Sequence, residues 1–107
     1  MPTHLKSAHF ASDPEAFPIL SKVLLGTLRL GPVGTSAFPA PVLSEGLAVF
    51  KVQTALFQFG FTDTPQSAVF DQQTAAVVSQ FKSFWHLSPS DGVVGQFTLA
   101  ALDYEMI

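Results

Sequence analysis

The chain has 107 residues, a net charge of −3 and no cysteine, which suits one domain without disulfides or thiolate chemistry. Only five Lys and Arg residues stand against eight Asp and Glu residues. Nucleic acid is not an expected partner, because phosphate neutralisation by basic residues supplies most of that affinity. The apolar stretches are interrupted well short of the roughly 20 residues that span a bilayer, so no membrane span is predicted.

The composition is unusually apolar for a water-soluble chain. Hydrophobic residues make up 48% and charged residues 12%, and eleven of the aromatic residues are Phe. Two explanations are open. The Phe residues build the core, or some of them form a surface that a partner protein, an attached catalytic domain or a second copy of the chain covers.

The first 43 residues differ in pattern from the rest. Asp13 is a candidate cap for a helix start. A helix is predicted from about Pro18 to Leu30, although residues 23–28 fit a strand almost as well. Glycine and proline are dense over residues 31–41, which indicates a loop or linker. We therefore expect a helical or irregular N-terminal extension with its linker over residues 1–43, and a compact domain over residues 44–107.

Regular helical periodicity begins after this loop. Ser44 is the predicted cap of a helix that runs to about Phe59, with Gly60 as its left-handed stop and Phe61 packed back on the last turn. The polar stripe of this helix consists of Lys51, Thr54 and Gln58. Gln53 falls on the opposite, apolar side, where an amide is costly unless it is hydrogen-bonded. We expect Gln53 to be buried and bonded to loop backbone.

Two further helices are predicted. One runs from Gln72 to Trp85 behind the cap Asp71, and the other from about Gln96 to Tyr104. The apolar face of the former consists of Thr74, Val77, Val78, Phe81, Phe84 and Trp85. Its polar face consists of Gln72, Ser79, Lys82 and Ser83.

The loops that lead into these two helices are weak copies of each other. Residues 67–74 and residues 91–98 match at Val, Gln and Thr in the same register. We call them the first and the second corner. Two units cannot form a solenoid, so they indicate one bundle with two equivalent loop-to-helix corners.

Residues 45–104 resemble the small three-helix peptidoglycan-binding domains of bacteria. The matching residues are Val49, Gln53, Leu56, Gly60 and Phe61, then Phe70, Thr74, Val77, Val78 and Phe81, then Leu87, Asp91, Gly92, Val94, Gly95, Thr98 and Leu102. The resemblance implies an all-α three-helix bundle whose corners frame a shallow groove for a glycan-peptide strand. It implies binding without catalysis.

The second corner keeps the pattern of the family. Asp91 can accept bonds from backbone N–H groups across its own turn, and Gly92 can adopt a positive φ. Gly95 would allow a close approach of the chain before Thr98 enters the helix. The Asp91-Gly92 turn is therefore expected to be structural before it is functional.

The first corner departs from the family. Ser67-Ala68 replaces the Asp-Gly pair, Asp71 replaces the second Gly, and Lys82 stands where a Gln usually follows the helix-two Phe. Because a positive φ is costly for alanine, we expect this corner to have a different shape.

No catalytic or metal centre is predicted, and no cofactor is expected. His4, His9 and His86 are scattered rather than spaced as zinc ligands. The acidic residues have ordinary explanations as caps, loop residues or helix-end groups, rather than as a glycosidase pair. These acidic residues are Glu45, Asp63, Asp71 and Asp103. No Ser stands in a Gly-x-Ser-x-Gly elbow.

The predicted ligand site is a groove between the two corners and the starts of the second and third helices, with no part for the N-terminal extension. Its candidate contacts are Phe70, Gln73, Thr74, Trp85, Ser90, Asp91 and Gln96. Phe70 and Trp85 could stack on a sugar, while core packing is the alternative for Trp85.

Two functions remain open. The first is a wall-binding module that holds an attached or associated hydrolase, secretion effector or phage lysin at peptidoglycan. The second is a protein-interaction or dimerisation domain that keeps the fold without binding glycan. The first predicts a periplasmic or extracellular, wall-associated protein. Because no secretory signal is visible at the N-terminus, it requires export by another route, release by phage lysis, or a truncated chain.

Overall fold

The computed structural model describes residues 4–107. Its elements in chain order are α1 (Ala8–Ala11), α2 (Ala16–Leu24), β1 (Arg29–Leu30), β2 (Val42–Leu43), α3 (Leu47–Phe59), α4 (Gln72–Phe84) and α5 (Gln96–Glu105). The all-α class is confirmed: the described part of the chain has five helices, of which α1 and α2 belong to the N-terminal segment and α3 to α5 to the three-helix region. None of these helices has the length and apolar character needed to cross a membrane.

The three predicted helices of residues 44–107 are present as α3, α4 and α5. Gly60 ends α3 with a φ of +130°, and Phe61 stacks on Phe59 with ring centroids 5.7 Å apart, both as predicted. The predicted Ser44 cap is wrong. Gly46 caps α3 instead, and the Ser44 carbonyl accepts a hydrogen bond from the Phe70 N–H at 2.8 Å.

The N-terminal segment is part of the same core as α3 to α5. The α2 helix packs against both α3 and α5. The segment contributes these core side chains: Leu5, Phe10, Ala16, Leu20, Val23, Leu24 and Leu30. The expectation that residues 1–43 lie outside the compact domain is therefore wrong for the described residues, because their apolar side chains complete its core.

The predicted helix from Pro18 to Leu30 is too long. The α2 helix ends at Leu24, and Gly26 follows it with a φ of +85°, a left-handed stop of the kind that ends many helices. The chain then becomes extended, and β1 pairs in parallel with β2. Leu30 also exchanges two backbone hydrogen bonds with Val94, so this short strand is attached to the second corner.

A buried carboxylate holds the start of the chain on α5. Asp103 is 4% exposed and accepts bonds from Lys6 N–H, Ser7 N–H and the Ser7 hydroxyl at 2.6 to 2.9 Å. It was expected to be an ordinary helix-end group. Its partners lie more than 90 residues away in sequence, and they make it a tie between the two ends of the chain.

The Phe residues are divided between the core and the surface. Phe10, Phe70 and Phe81 are fully or almost fully buried. Phe84 and Phe97 are 62% and 60% exposed. The placement of Phe84 on the buried face of α4 is therefore wrong, although its ring still contacts Phe59 edge-to-face.

Candidate functional site

The first corner is built around Gln53, as predicted. Gln53 has no exposed surface, and its amide nitrogen donates to the Val69 carbonyl at 2.9 Å and the Thr74 hydroxyl at 3.1 Å. Its amide oxygen accepts from the Ala68 N–H at 2.9 Å. The side chain therefore joins α3 to the loop that enters α4.

The reason for expecting a different shape at the first corner, that Ala68 would avoid a positive φ, is wrong. Ala68 adopts a φ of +67°, so the corner takes the left-handed conformation despite the cost for alanine. The hydrogen bond from Ala68 N–H to Gln53 lies on the same residue and stabilises that conformation. Asp71 caps α4 as predicted, accepting from the Thr74 N–H at 2.8 Å.

An ion pair between a buried lysine and a half-exposed aspartate joins the second corner to α4. Asp91 accepts one backbone bond across its turn, from Val93 N–H at 3.2 Å, and it also pairs with the ammonium of Lys82. Lys82 is 6% exposed, so its prediction as part of the polar face of α4 is wrong. A buried ammonium needs a partner, and the carboxylate of Asp91 supplies it.

The glycines of the second corner act differently from the prediction. Gly92 does not have a positive φ. A Cβ atom there would lie 2.6 Å from Ala75 Cβ and 2.7 Å from the Ala75 carbonyl oxygen, so Gly92 is required by close packing on α4. Gly95 caps α5 and has no atom within 4 Å of a built Cβ, so the predicted close approach at Gly95 is wrong.

Two of the predicted ligand contacts are buried. Phe70 is 2% exposed and Thr74 is 0% exposed, so both belong to the interior and their prediction as ligand contacts is wrong for this conformation. Gln73 is exposed, and its amide donates to the Asp63 carbonyl at 2.8 Å. Thr98, predicted as a motif residue, is 4% exposed at the start of α5.

A cleft lies at the second corner, and we call it the corner cleft. It has a volume of about 480 Å³. Its walls are Gly26, Arg29, Pro39 and Ala40 on one side, and Lys82, Leu87, Ser88, Pro89, Asp91, Val93, Gly95, Gln96, Phe97 and Thr98 on the other.

Two of the predicted contacts, Asp91 and Gln96, line the corner cleft. Ser90 lies in the same loop, and its carbonyl accepts from the Ser79 hydroxyl at 2.6 Å. No residue of the first corner lines the cleft. This cleft therefore does not join the two corners, because its second wall comes from the N-terminal segment that the prediction left out.

An apolar pocket of about 400 Å³ adjoins the corner cleft. Leu87 and Phe97 line both, and the other walls are Trp85, Ala100, Ala101 and Tyr104. Trp85 is partly buried against Phe81 and also lines this pocket, so its packing on the core is shown and its stacking on a sugar stays a prediction. Its indole N–H donates to Glu105 at 3.1 Å.

The polar groups at the cleft suit recognition. The described residues contain no group of three or more His, Asp or Glu side chains arranged to hold a metal ion. The carboxylates of Asp71, Asp91 and Asp103 are each engaged in caps or ties. The cleft therefore offers apolar walls with a few oriented polar groups, which is the usual composition of a binding site.

Sequence reasoning missed Arg29 and Phe97 as residues of the cleft. Arg29 is the sole arginine of the chain and stands just before the glycine- and proline-rich loop, but nothing in the sequence places it beside the second corner. Phe97 offered no signal either, because periodicity alone does not separate an exposed Phe from a core Phe on a short helix.

Comparison with known proteins gives one match. A family model described as "Putative peptidoglycan binding domain" matches residues 45–102. No curated protein and no solved structure matches the chain. The matched region contains α3, α4, α5 and both corners, and it excludes the segment that carries Arg29.

Proposed function

Because the chain belongs to the peptidoglycan-binding domain family, we propose that it binds peptidoglycan through the corner cleft. The family is one of binding rather than catalytic domains, and its role indicates association with the cell wall. The cleft is the specific element of the proposal. The observation that supports it is that Asp91, Gln96 and Phe97 line one concave space together with residues of the N-terminal segment.

The biological role that we propose is targeting. A module without its own chemistry is useful when it holds another activity near its substrate, because binding raises the local concentration of the attached partner. The activity held at the wall would be an attached or associated hydrolase, a secretion effector or a phage lysin.

The test is cosedimentation with purified peptidoglycan sacculi. We expect the wild-type protein to pellet with sacculi, and the double variant Gln96→Ala, Phe97→Ala to lose most of this binding while keeping its helical content. The matched control, Gln80→Ala with Phe84→Ala, removes an exposed Gln and an exposed Phe of α4 that lie outside the cleft. It should bind like the wild type.

A third variant separates the two corners. Gln73 lies at the first corner and does not line the cleft. If Gln73→Ala abolished binding while the cleft double variant did not, the first corner would be the site. If the wild type failed to pellet with sacculi, the proposed function would be refuted.

A second candidate function is protein interaction or dimerisation through the apolar pocket. The observation that favours it is the exposure of Phe97 and Tyr104, at 60% and 66%, beside Trp85 and Leu87. Sedimentation equilibrium tests the dimer form directly. A concentration-dependent dimer that Tyr104→Ala converts to a monomer would support this candidate. A protein that is monomeric at all concentrations would refute dimerisation.

A further inference from the structure

We propose that Arg29 is a carboxylate-binding residue of the corner cleft, and that it recognises a stem-peptide carboxylate of peptidoglycan. The proposal deepens the function proposed above and rests on it. Arg29 lies outside the residues that match the family model, so the family match assigns it no role.

The guanidinium of Arg29 is held in place by neutral acceptors. Its Nε and Nη2 both donate to the Ala40 carbonyl, at 3.3 and 2.8 Å. Nη2 also donates to the carbonyls of Ser36 and Phe38. Because one edge of the planar group is attached to the loop of residues 36–40, the group is already oriented before any ligand arrives.

The other end of the guanidinium remains available. Among residues 4–107, Nη1 donates no hydrogen bond and Arg29 forms no ion pair. The other two charged residues of the cleft, Lys82 and Asp91, pair with each other. Arg29 is therefore the cation of the cleft without a carboxylate partner.

An anion is the ligand that such a group binds best. Arg29 is partly buried, and a charge that is withdrawn from water without a counterion is costly. A carboxylate that accepts from the two N–H groups of Nη1 would form charge-assisted hydrogen bonds, which are shorter and stronger than neutral ones. Stem peptides carry such carboxylates at their chain ends. The sugar rings carry neutral hydroxyl groups instead, so the peptide is the better partner for Arg29.

The cleft also has the form expected for a peptide next to this cation. Pro39, Leu87 and Pro89 give apolar walls, and Gln96 gives an amide at the start of α5. Arg29 would hold the carboxylate of a short peptide at one wall, and the apolar residues would pack along the peptide. The N-terminal segment would then determine which stem-peptide end is accepted.

The experiment compares native sacculi with sacculi whose carboxylates have been converted to amides, a treatment that leaves any phosphate polymer unchanged. We expect amidation to weaken binding of the wild type by about tenfold or more, the size expected for a hydrogen bond to a charged group. Arg29→Gln should show a similar loss on native sacculi and should bind native and amidated sacculi equally. Arg29→Lys should fall between the two proteins, because it keeps the charge and loses the planar group.

The response of Arg29→Gln to amidated sacculi shows whether Arg29 contacts the ligand or only holds the loop of residues 36–40. If Arg29 served only to hold residues 36–40, Arg29→Gln would bind more weakly but would still respond to amidation like the wild type, and the proposal would be refuted. Lys22→Gln is the matched control, because it removes one exposed positive charge outside the cleft. It should keep both the affinity and the full response of the wild type.

The two proposals fail in different ways. A wild-type protein that does not bind native sacculi refutes the proposed function and this inference with it. A wild-type protein that binds native and amidated sacculi equally refutes the carboxylate contact alone. If amidation weakens binding of Arg29→Gln as much as binding of the wild type, another group of the cleft binds the carboxylate, and the inference is also refuted.

Discussion

Replacing Gln53 with leucine tests the architecture of the first corner. The change keeps the side-chain size and removes three hydrogen bonds, to the Ala68 N–H, the Val69 carbonyl and the Thr74 hydroxyl. The Val69 carbonyl still accepts from Asp71 N–H, and the Thr74 hydroxyl still donates to the Asp71 carboxylate. The Ala68 N–H is the group that loses its partner.

The size of the effect follows from this count. An unsatisfied, partly buried N–H costs about 1–3 kcal/mol, and each of the other two lost bonds costs about 0.5–1.5 kcal/mol. Burial of the leucine side chain offsets part of this, by about 1 kcal/mol. We therefore expect Gln53→Leu to lower the free energy of unfolding by about 1–5 kcal/mol, compared with the roughly 5–15 kcal/mol typical of a domain.

Urea unfolding followed by far-ultraviolet circular dichroism measures this loss. The midpoint should fall while the dependence on urea concentration stays unchanged, because the folded state keeps its helices. Gln58→Leu is the matched control, since Gln58 is an exposed residue of the same helix, and it should change stability by less than about 0.5 kcal/mol. A Gln53→Leu protein as stable as this control would refute the role assigned to the three hydrogen bonds.

Three other substitutions have defined outcomes in the same unfolding assay. Asp103→Ala should cost about 3 kcal/mol or more, because three hydrogen bonds to a buried carboxylate are lost, and a neutral result would contradict the tie to the N-terminal segment. Gly92→Ala should cost about 1–3 kcal/mol by overpacking against Ala75, and wild-type stability would argue against that close approach. Ala68→Gly should stabilise the protein by about 0.5–1 kcal/mol, because it relieves the positive φ; a loss of stability would show that no strain is present there.

The helices of the family-matched region could be predicted from sequence because their signals are local. Asp71 before α4 and Gly60 after α3 mark boundaries through interactions within a few residues. The burial of Gln53 could also be predicted, since a helical wheel places it on a face that is otherwise apolar. Loop backbone could be predicted as the hydrogen-bond partner of Gln53, because backbone groups inside helices are already bonded to one another.

The remaining features depend on contacts between distant parts of the chain. Lys82 has the spacing of a polar-face residue, and only the position of Asp91 makes its burial favourable. Asp103 resembles a helix-end group until Ser7 is placed beside it. Periodicity reports which side of a segment is apolar, and it does not report which other segment covers that side.

The candidate site was predicted only in part for the same reason. Asp91 and Gln96 do lie at one cleft, because a short corner keeps its own residues together. Phe70 was placed at the mouth of a corner, and its side chain is in the core. The wall that contains Arg29 could not be predicted, because residues 1–43 carried no signal of the elements on which they pack.

The most direct test of the account is a two-dimensional ¹⁵N–¹H spectrum of the protein titrated with a soluble disaccharide-peptide fragment of peptidoglycan. The account predicts that the shifted backbone signals surround the corner cleft, namely those of Arg29, residues 36–40 and residues 87–97. Signals of the first corner, including Ala68 and Gln73, should move little. Shifts that cluster at the first corner, or no shifts at saturating fragment, would contradict the claim that this domain binds the cell wall through the corner cleft.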